Sequence, residues 1–155
     1  MSVVDKNGDI FETEAQVIGH GVNIRGLMGA GIAKTVRHLY PSVFREYRDA
    51  CENKTLEGGE CLLVKAEEWD GDEPRYIANI SSQINPGANA SLDLLRRGLE
   101  DTFQKLDYAS LTSLALPRIG AGIGGLVWED ALEVINEVSE NYPDIEVEIW
   151  TYSLV

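Results

Sequence analysis

The chain has 155 residues, 44% of them hydrophobic and 25% charged, which is typical of one globular domain with its own core. Its formal net charge of −13 disfavours a broad nucleic-acid-binding surface, because phosphate binding on that scale needs clustered lysine and arginine. The two cysteines form no metal-ligand pattern and no disulfide framework, and no apolar run reaches the roughly 18 residues of a membrane-spanning helix. With no signal-peptide pattern at its start, the sequence predicts a cytoplasmic protein with no metal and no membrane partner.

The first third of the chain predicts two strands and then two helices. In order, these are a short edge strand at 2–4, a buried strand at 15–19, a helix at 30–39 and a helix at 43–53. The Asn7-Gly8 pair predicts a turn between the strands. Pro41 ends the first helix, and Ser42 is the expected cap of the second.

The rest of the chain alternates strands with helices. Strands are expected within 59–66, at 75–80, at 111–116 and at 145–152, and helices at 92–106 and 128–139. The first of these helices carries apolar residues three to four apart, which indicates core packing rather than a cofactor site. Glu129 and Asp130 lie in the first turn of the helix at 128–139, where their negative charges interact favourably with the helix dipole. We interpret them in this way rather than as a catalytic acid pair. The last strand alternates apolar and acidic residues, so we expect it to be half-exposed at a sheet edge.

This order predicts an α/β fold with helices on both faces of a largely parallel sheet. In such sheets, ligands bind outside the carboxyl ends of the strands. Two glycine-rich loops, 26–31 and 120–125, each follow a predicted strand and can therefore face one cleft. Their backbone N–H groups can approach an anion closely, and a helix N-terminus adds partial positive charge. A tight turn packed on the core is the alternative interpretation of either loop.

Three segments together resemble the macrodomain, a module that binds ADP-ribose. The first is Gly8-Asp9-Ile10, and the second is His20-x-x-Asn23 followed by Met28-Gly29-Ala30-Gly31-Ile32-Ala33. The third is Pro117-Arg118-Ile119-Gly120-Ala121-Gly122-Ile123-Gly124-Gly125-Leu126-x-Trp128-Glu129. Each motif is short, but their order and spacing extend over nearly the whole chain.

The resemblance implies a single macrodomain over residues 1–155, a three-layer α/β/α sandwich with a mixed, mostly parallel central sheet. It places Asp9 and Ile10 at the adenine, with Tyr152, Ser153 and Leu154 flanking that base, and Asn23 at the distal ribose. It assigns the diphosphate to backbone N–H groups of the two loops. The loop residues expected to contact the ligand are Gly29, Ala30, Gly31, Ile32, Gly120, Ala121, Gly122, Ile123 and Gly124. Ser81 completes the predicted binding set, in a segment (81–83) that can position a water near the anomeric carbon.

Within macrodomains, the motifs resemble the branch of terminal ADP-ribose glycohydrolases, DNA ADP-ribose-removing antitoxins and fungal ADP-ribose-1″-phosphate phosphatases. The glycohydrolases use a lysine after the strand that matches 75–80, and some use an aspartate in the second loop. This chain has no lysine between Lys65 and Lys105, and Gly124 stands where the aspartate would fall. His20 and Asn23 match the residues that the phosphatases carry there, so both are candidate catalytic residues.

The expected function is binding of ADP-ribose with hydrolysis of an ADP-ribosyl derivative, ADP-ribose-1″-phosphate before others, without a cofactor and by a monomer. His20 would act as general acid, base or nucleophile, since its ordinary pKa lies near neutrality; a purely structural histidine is the alternative. Arg25 is a candidate for contact with a phosphate or with an extension of the ligand, and Arg118 is a candidate for holding its loop through backbone carbonyls. Two other functions remain open: a non-catalytic reader of ADP-ribose, and a glycohydrolase that dispenses with the lysine.

Overall fold

The computed structural model describes residues 3–152, which form a central sheet with helices on both faces. Its strands are β1 (Val3–Asn7), β2 (Val17–Gly21), β3 (Cys61–Lys65), β4 (Tyr76–Ile80), β5 (Ser113–Leu116) and β6 (Glu146–Thr151). Its helices are α1 (Gly31–Leu39), α2 (Pro41–Glu52), α3 (Leu92–Tyr108) and α4 (Trp128–Ser139), with a 3-10 turn at Ile10–Glu12. The alternation predicted from hydrophobic periodicity is confirmed.

The strands lie in the order β1-β6-β5-β2-β4-β3. Every neighbouring pair is parallel except β3 and β4, which are antiparallel. The sheet is therefore mixed and mostly parallel, as expected. The prediction that the last strand forms an edge is wrong, because β6 pairs with β1 on one side and β5 on the other.

The two faces of the sheet carry separate apolar cores. On one face, the predicted apolar stripe of α3 buries Leu95, Leu99 and Phe103 completely against the strands and α4. On the other, Val43 and Tyr47 of α2 are fully buried together with residues of α1. These two cores place α1 and α2 on one side of the sheet and α3 and α4 on the other, giving the expected three layers.

The start of α2 differs from the prediction. The helix begins at Pro41, whose fixed φ suits a first helical position, and Tyr40 precedes it as the N-cap. Ser42 is therefore inside the helix and does not cap it. Its N–H and its hydroxyl instead donate to the two carboxylate oxygens of Glu68, at 2.9 and 2.6 Å.

Because β1, β2, β4, β5 and β6 are parallel, their carboxyl ends meet at the same edge of the sheet. The segments that follow them are therefore brought together from distant parts of the chain. The segment after β1 carries Asp9, and those after β2 and β5 are the two glycine loops. The segment after β4 carries the serine pair at 81–82, and Tyr152 follows β6.

Candidate functional site

A cleft of about 1090 Å³ lies at this edge of the sheet, between the two glycine loops. The loops touch across it, since a Cβ at Gly31 would lie only 3.1 Å from Cδ1 of Ile123. The sequence-predicted site residues that line the cleft are Asp9, Ile10, His20, Asn23, Gly29, Ala30, Gly31, Ile32, Gly120, Ala121, Gly122, Ile123, Gly124 and Tyr152. Ser81 is not among the lining residues.

The first loop presents the N-terminus of α1 to the cleft. Ala30 is the N-cap and has no side chain able to accept from the first turn, whose N–H groups lack partners inside the helix. Gly31 has a φ of +60°, in the left-handed region that glycine adopts without strain. The exposed N–H groups and the helix dipole together make this end of the cleft suited to an anion.

The second loop is held by hydrogen bonds between its own N–H and carbonyl groups. The N–H of Ala121 donates to the Arg118 carbonyl at 3.1 Å, and the N–H of Leu126 donates to the Gly120 carbonyl at 2.8 Å. Between them, the N–H groups at 122–124 donate to no acceptor in residues 3–152. They remain available to a ligand in the cleft.

The close packing around Gly124 gives a physical reason why the second loop has no aspartate at this position. A Cβ at this position would lie 2.6 Å from the Gly120 carbonyl oxygen and 2.8 Å from Cβ of Ala90. Any side chain would therefore push the loop from the segment packed beside it, whose Ala90 N–H donates to the Gly124 carbonyl at 3.1 Å. The backbone itself excludes an acidic residue here.

The end of the cleft beside β1 and β6 combines a carboxylate with aromatic rings. Asp9 is exposed, and its Oδ1 accepts from the Phe11 N–H at 3.0 Å, which leaves the second carboxylate oxygen free. Tyr152 is 69% exposed and Trp150 also lines the cleft. Residues 153 and 154, which were assigned to the same base, lie outside the described residues.

Arg25 and Arg118, the basic residues nearest to the two loops in sequence, both make contacts within the protein. The Nε of Arg118 donates to Oγ1 of Thr151 at 3.3 Å, and its guanidinium lies 5.4 Å from the centre of the Trp128 ring, so it ties the second loop to β6 and α4. The Nε of Arg25 donates to Oδ1 of Asn85 at 2.8 Å, and Arg25 does not line the cleft.

Asn23 is largely occupied by its own loop. It is 7% exposed, and its Oδ1 accepts from the Arg25 N–H at 2.9 Å and from the Tyr47 hydroxyl at 2.9 Å. Its Nδ2 donates to the Leu27 carbonyl at 2.9 Å. One amide hydrogen is left for a ligand, so the side chain can donate to a ribose hydroxyl but has no free acceptor.

His20 is buried at the base of the cleft and is neutral. Its Nε2 lies 2.7 Å from Oδ1 of Asn79, whose Nδ2 donates to the Leu62 carbonyl at 3.0 Å. That network makes Oδ1 the acceptor and places the proton of His20 on Nε2. Burial lowers the pKa of His20 to about 4, so at neutral pH it offers a proton acceptor, Nδ1, which has no partner among residues 3–152.

The two serines after β4 differ in their hydrogen bonds and in their position relative to the cleft. The Ser81 hydroxyl donates to the Glu57 carbonyl at 2.6 Å and accepts from the Glu60 N–H at 2.9 Å, away from the cleft. Ser82 lines the cleft, is 1% exposed, and its hydroxyl has no partner among residues 3–152. Next to it, the amide of Gln83 donates to the carbonyls of Asn85 and Gly87 and braces the following turn. No sequence signal distinguishes two adjacent serines, so the strand's geometry was needed to find Ser82.

Residues 3–152 contain no group of three or more histidine, cysteine, aspartate or glutamate side chains placed to hold a metal ion. None of the helices in that range is both long and apolar enough to cross a membrane.

Sequence comparison relates the chain to two kinds of hydrolase. It is 29% identical over 144 residues to the DNA ADP-ribosyl glycohydrolase of Mycobacterium tuberculosis, covering 93% of this chain and 40% of that protein. It is 25% identical over 149 residues to the ADP-ribose 1″-phosphate phosphatase of Lodderomyces elongisporus, covering 89% of this chain and 93% of that protein. The chain thus spans about 40% of the length of the curated DNA ADP-ribosyl glycohydrolases that it matches.

Solved structures of bacterial proteins also resemble this chain. The macrodomain of Mycobacterium tuberculosis DarG matches with a TM-score of 0.90 at 28% identity, over 97% of this chain and 98% of that one. Thermosipho africanus DarTG in complex with ADP-ribose matches with a TM-score of 0.84 at 26% identity, over 97% of this chain and 42% of that one. Residues 20–135 match the Macro domain family. Since that match covers most of the chain, the chain belongs to the macrodomain family.

Proposed function

We propose that this protein binds ADP-ribose across the carboxyl ends of its parallel strands. The strand order supports a place for each part of the ligand. Adenine would lie beside β1 and β6, next to Asp9 and Tyr152, and the diphosphate would lie over the glycine loops that follow β5 and β2. The distal ribose would then reach Asn23 and Ser82, which follow β2 and β4.

The observation that carries this proposal is the meeting of the two glycine loops over one cleft. Each loop supplies backbone N–H groups that lack acceptors among residues 3–152, and the first also supplies the N-terminus of α1. Such an arrangement holds a diphosphate with little side-chain charge, as an acidic protein requires. A similar structure, Thermosipho africanus DarTG, has been solved in complex with ADP-ribose, which supports the same ligand here.

Calorimetric titration with ADP-ribose tests this binding, with Asp9→Asn as the variant. Asparagine keeps the oxygen that caps the 3-10 turn but loses the charged acceptor offered to the adenine amino group, so we expect affinity to fall about tenfold. Glu12→Gln removes an acid of the same turn that does not line the cleft, and should bind as the wild type does. Absence of binding by the wild-type protein at millimolar ADP-ribose would refute the proposal.

We infer further that the protein hydrolyses the bond between the distal ribose and its substituent, releasing ADP-ribose from ADP-ribosylated DNA. The substrate is suggested by the curated relatives named DNA ADP-ribosyl glycohydrolase. Water would supply a hydroxyl to the anomeric carbon and a proton to the departing base. Since the loop aspartate and the lysine are missing, we assign a role beside the distal ribose to the Ser82 hydroxyl, which is buried and has no partner among residues 3–152.

Hydrolysis of ADP-ribose-1″-phosphate is a second candidate, and His20 favours it. His20 lines the cleft and its neutral Nδ1 has no partner in the described part of the chain, so this nitrogen can accept a proton from a water attacking phosphorus. A relative of nearly the same length is an ADP-ribose 1″-phosphate phosphatase. The neutral ring does not suit the general-acid role that the sequence also allowed.

Both substrates, an ADP-ribosylated DNA oligonucleotide and ADP-ribose-1″-phosphate, should be incubated with the protein in parallel. Release of free ADP-ribose from the oligonucleotide supports the glycohydrolase, and release of inorganic phosphate from the second substrate supports the phosphatase. Tight binding of ADP-ribose with neither product would identify a non-catalytic reader and refute both reactions.

A further inference from the structure

The basic residues of this acidic chain are unevenly distributed. Residues 25–54 contain six of its 13 lysines and arginines but only three of its 26 aspartates and glutamates. The remaining residues carry seven basic and 23 acidic side chains. The segment that follows the first glycine loop therefore differs in charge from the rest of the molecule.

Three arginines of this segment lie along one strip, which we call the arginine strip: Arg25, Arg37 and Arg48, with Phe44 between the last two. The guanidinium carbons of Arg37 and Arg48 lie 4.6 and 5.6 Å from the centre of the Phe44 ring. Arg48 also packs beside the first loop, since a Cβ at Gly26 would lie 3.7 Å from its Cγ. Gly26 is next in sequence to Arg25, whose Nε donates to Oδ1 of Asn85 at 2.8 Å, so the backbone of the first loop connects Arg25 to the surface on which Arg48 lies.

The strip is exposed and not neutralised by carboxylates. All three arginines are solvent-exposed, and none lies within 4 Å of an acidic oxygen among residues 3–152. The ion pairs of that range instead involve Arg96, Arg97 and Lys105 of α3, in the layer on the other side of the sheet. Cation–π contacts with Phe44 hold two guanidinium groups in place without neutralising their charge.

The strip borders the cleft. Arg37 and Phe44 line its wall, and so does Gly26, beside which Arg48 packs. In the binding mode proposed above, the phosphates of ADP-ribose are held by the glycine loops. The strip therefore offers phosphate-binding groups beyond those that the nucleotide itself needs.

We propose that the arginine strip binds the backbone of a single-stranded nucleic acid that carries the ADP-ribosyl group. A nucleic acid strand presents successive phosphates, which exposed arginines bind through charge and paired N–H groups. The strip involves only three cations, so it suits a few nucleotides of single strand and not a broad duplex surface. This inference depends on ADP-ribose binding in the cleft, because the cleft fixes the modified nucleotide beside the strip.

The test compares Arg25→Gln/Arg48→Gln with the wild-type protein. Neither arginine lines the cleft, and glutamine keeps part of each side-chain stem while removing its charge. Binding of a fluorescent ADP-ribosylated single-stranded oligonucleotide is measured by anisotropy over a salt series. We expect at least tenfold weaker binding and a salt slope smaller by about 1.4, because two phosphate contacts of about 0.7 each are lost.

The matched control is Arg96→Gln/Arg97→Gln, which removes the same charge from the opposite layer and should leave oligonucleotide affinity unchanged. Calorimetry with free ADP-ribose separates the two proposals. If all three proteins bind ADP-ribose equally and the strip variant also binds the oligonucleotide like wild type, the inference is overturned while the proposed function stands. If the strip variant loses affinity for an ADP-ribosylated acidic peptide but not for the oligonucleotide, a nucleic acid partner is likewise excluded. If wild type binds no ADP-ribose, the proposed function itself fails.

Discussion

Ser82 carries a buried hydroxyl that has no hydrogen-bond partner among residues 3–152. Its backbone is held on both sides, because its N–H donates to the Ile80 carbonyl at 2.8 Å and its carbonyl accepts from the Ser91 N–H at 3.1 Å. A Cβ at Gly21 would lie 2.7 Å from Oγ, so glycine provides the space that the hydroxyl occupies. Burying such a group without a partner costs free energy, which a ligand in the cleft can recover.

We predict opposite effects for the two serines after β4. Ser82→Ala should lower turnover of the true substrate about two- to twelvefold, since about 0.5–1.5 kcal/mol of hydrogen bonding to the bound substrate is lost, and should leave stability unchanged or higher. Ser81→Ala should lower the free energy of unfolding by about 1–3 kcal/mol, because the Glu60 N–H and Glu57 carbonyl lose their partner. Steady-state kinetics and urea unfolding of both variants check this. Equal turnover by Ser82→Ala and wild type would contradict the role of Ser82.

We predict that His20 makes the protein less stable in mild acid. Its pKa is lowered to about 4 in the folded chain, against 6.5 as the ordinary value, so below pH 6.5 the unfolded chain binds this proton first. Stability is therefore lost as pH falls from 6.5 towards 4, by about 2 kcal/mol between pH 7 and pH 5. Well above pH 6.5 the ring is neutral in both states and the effect disappears.

Urea unfolding at pH 7 and pH 5 measures this loss. His20→Gln should reduce it, because the titrating ring is gone, although its stability at pH 7 will itself be lower. His38→Gln, at an exposed position of α1, should retain the wild-type loss. An identical pH dependence for His20→Gln and wild type would show that the buried ring is not responsible.

At the level of elements, the second glycine loop depends on close backbone packing. We predict that Gly124→Ala lowers the free energy of unfolding by about 1–3 kcal/mol and weakens ADP-ribose binding, because its methyl group overlaps the Gly120 carbonyl. Gly122→Ala, where a Cβ meets no atom within 4 Å, should change stability by less than about 0.5 kcal/mol. Thermal unfolding and calorimetric titration check both variants. Equal destabilisation by the two would show that loss of glycine flexibility, not overlap, is the cause.

Much of the architecture could be predicted because it depends on periodicity, which is local. The three-to-four spacing in α3 and the apolar run of β5 each indicate burial from neighbouring residues alone. The position of β6 could not be predicted, since alternation shows that one face is exposed but does not show which strands lie beside it. It is β1 that covers β6 and forms the edge. Likewise, the sequence motifs predicted where the cleft lies. Only the opposite directions of successive side chains after β4 distinguish Ser82, which lines the cleft, from Ser81, which does not.

Across the whole molecule, the two cores share every central strand. In β2, Val17 belongs to the core beneath α3 and α4, and the next residue, Ile18, to the core beneath α1 and α2. In β5, Leu114 and Ala115 divide in the same way. Because consecutive residues of one strand support opposite layers, loss of either core removes the surface on which the other packs.

We therefore predict that residues 3–152 unfold as one cooperative unit. Phe103→Ala, a fully buried ring on the α3 side, should lower the free energy of unfolding by about 3–5 kcal/mol. Single-tryptophan variants report each side, since Trp128 packs on that core and Trp150 on the opposite one. Urea transitions followed at the two tryptophans should shift together, whereas Tyr108→Ala, at a residue 93% exposed, should shift neither. If Phe103→Ala moved the Trp128 transition and left that of Trp150 in place, the two layers would be independent units, and a cleft assembled from both would not depend on the α3 core.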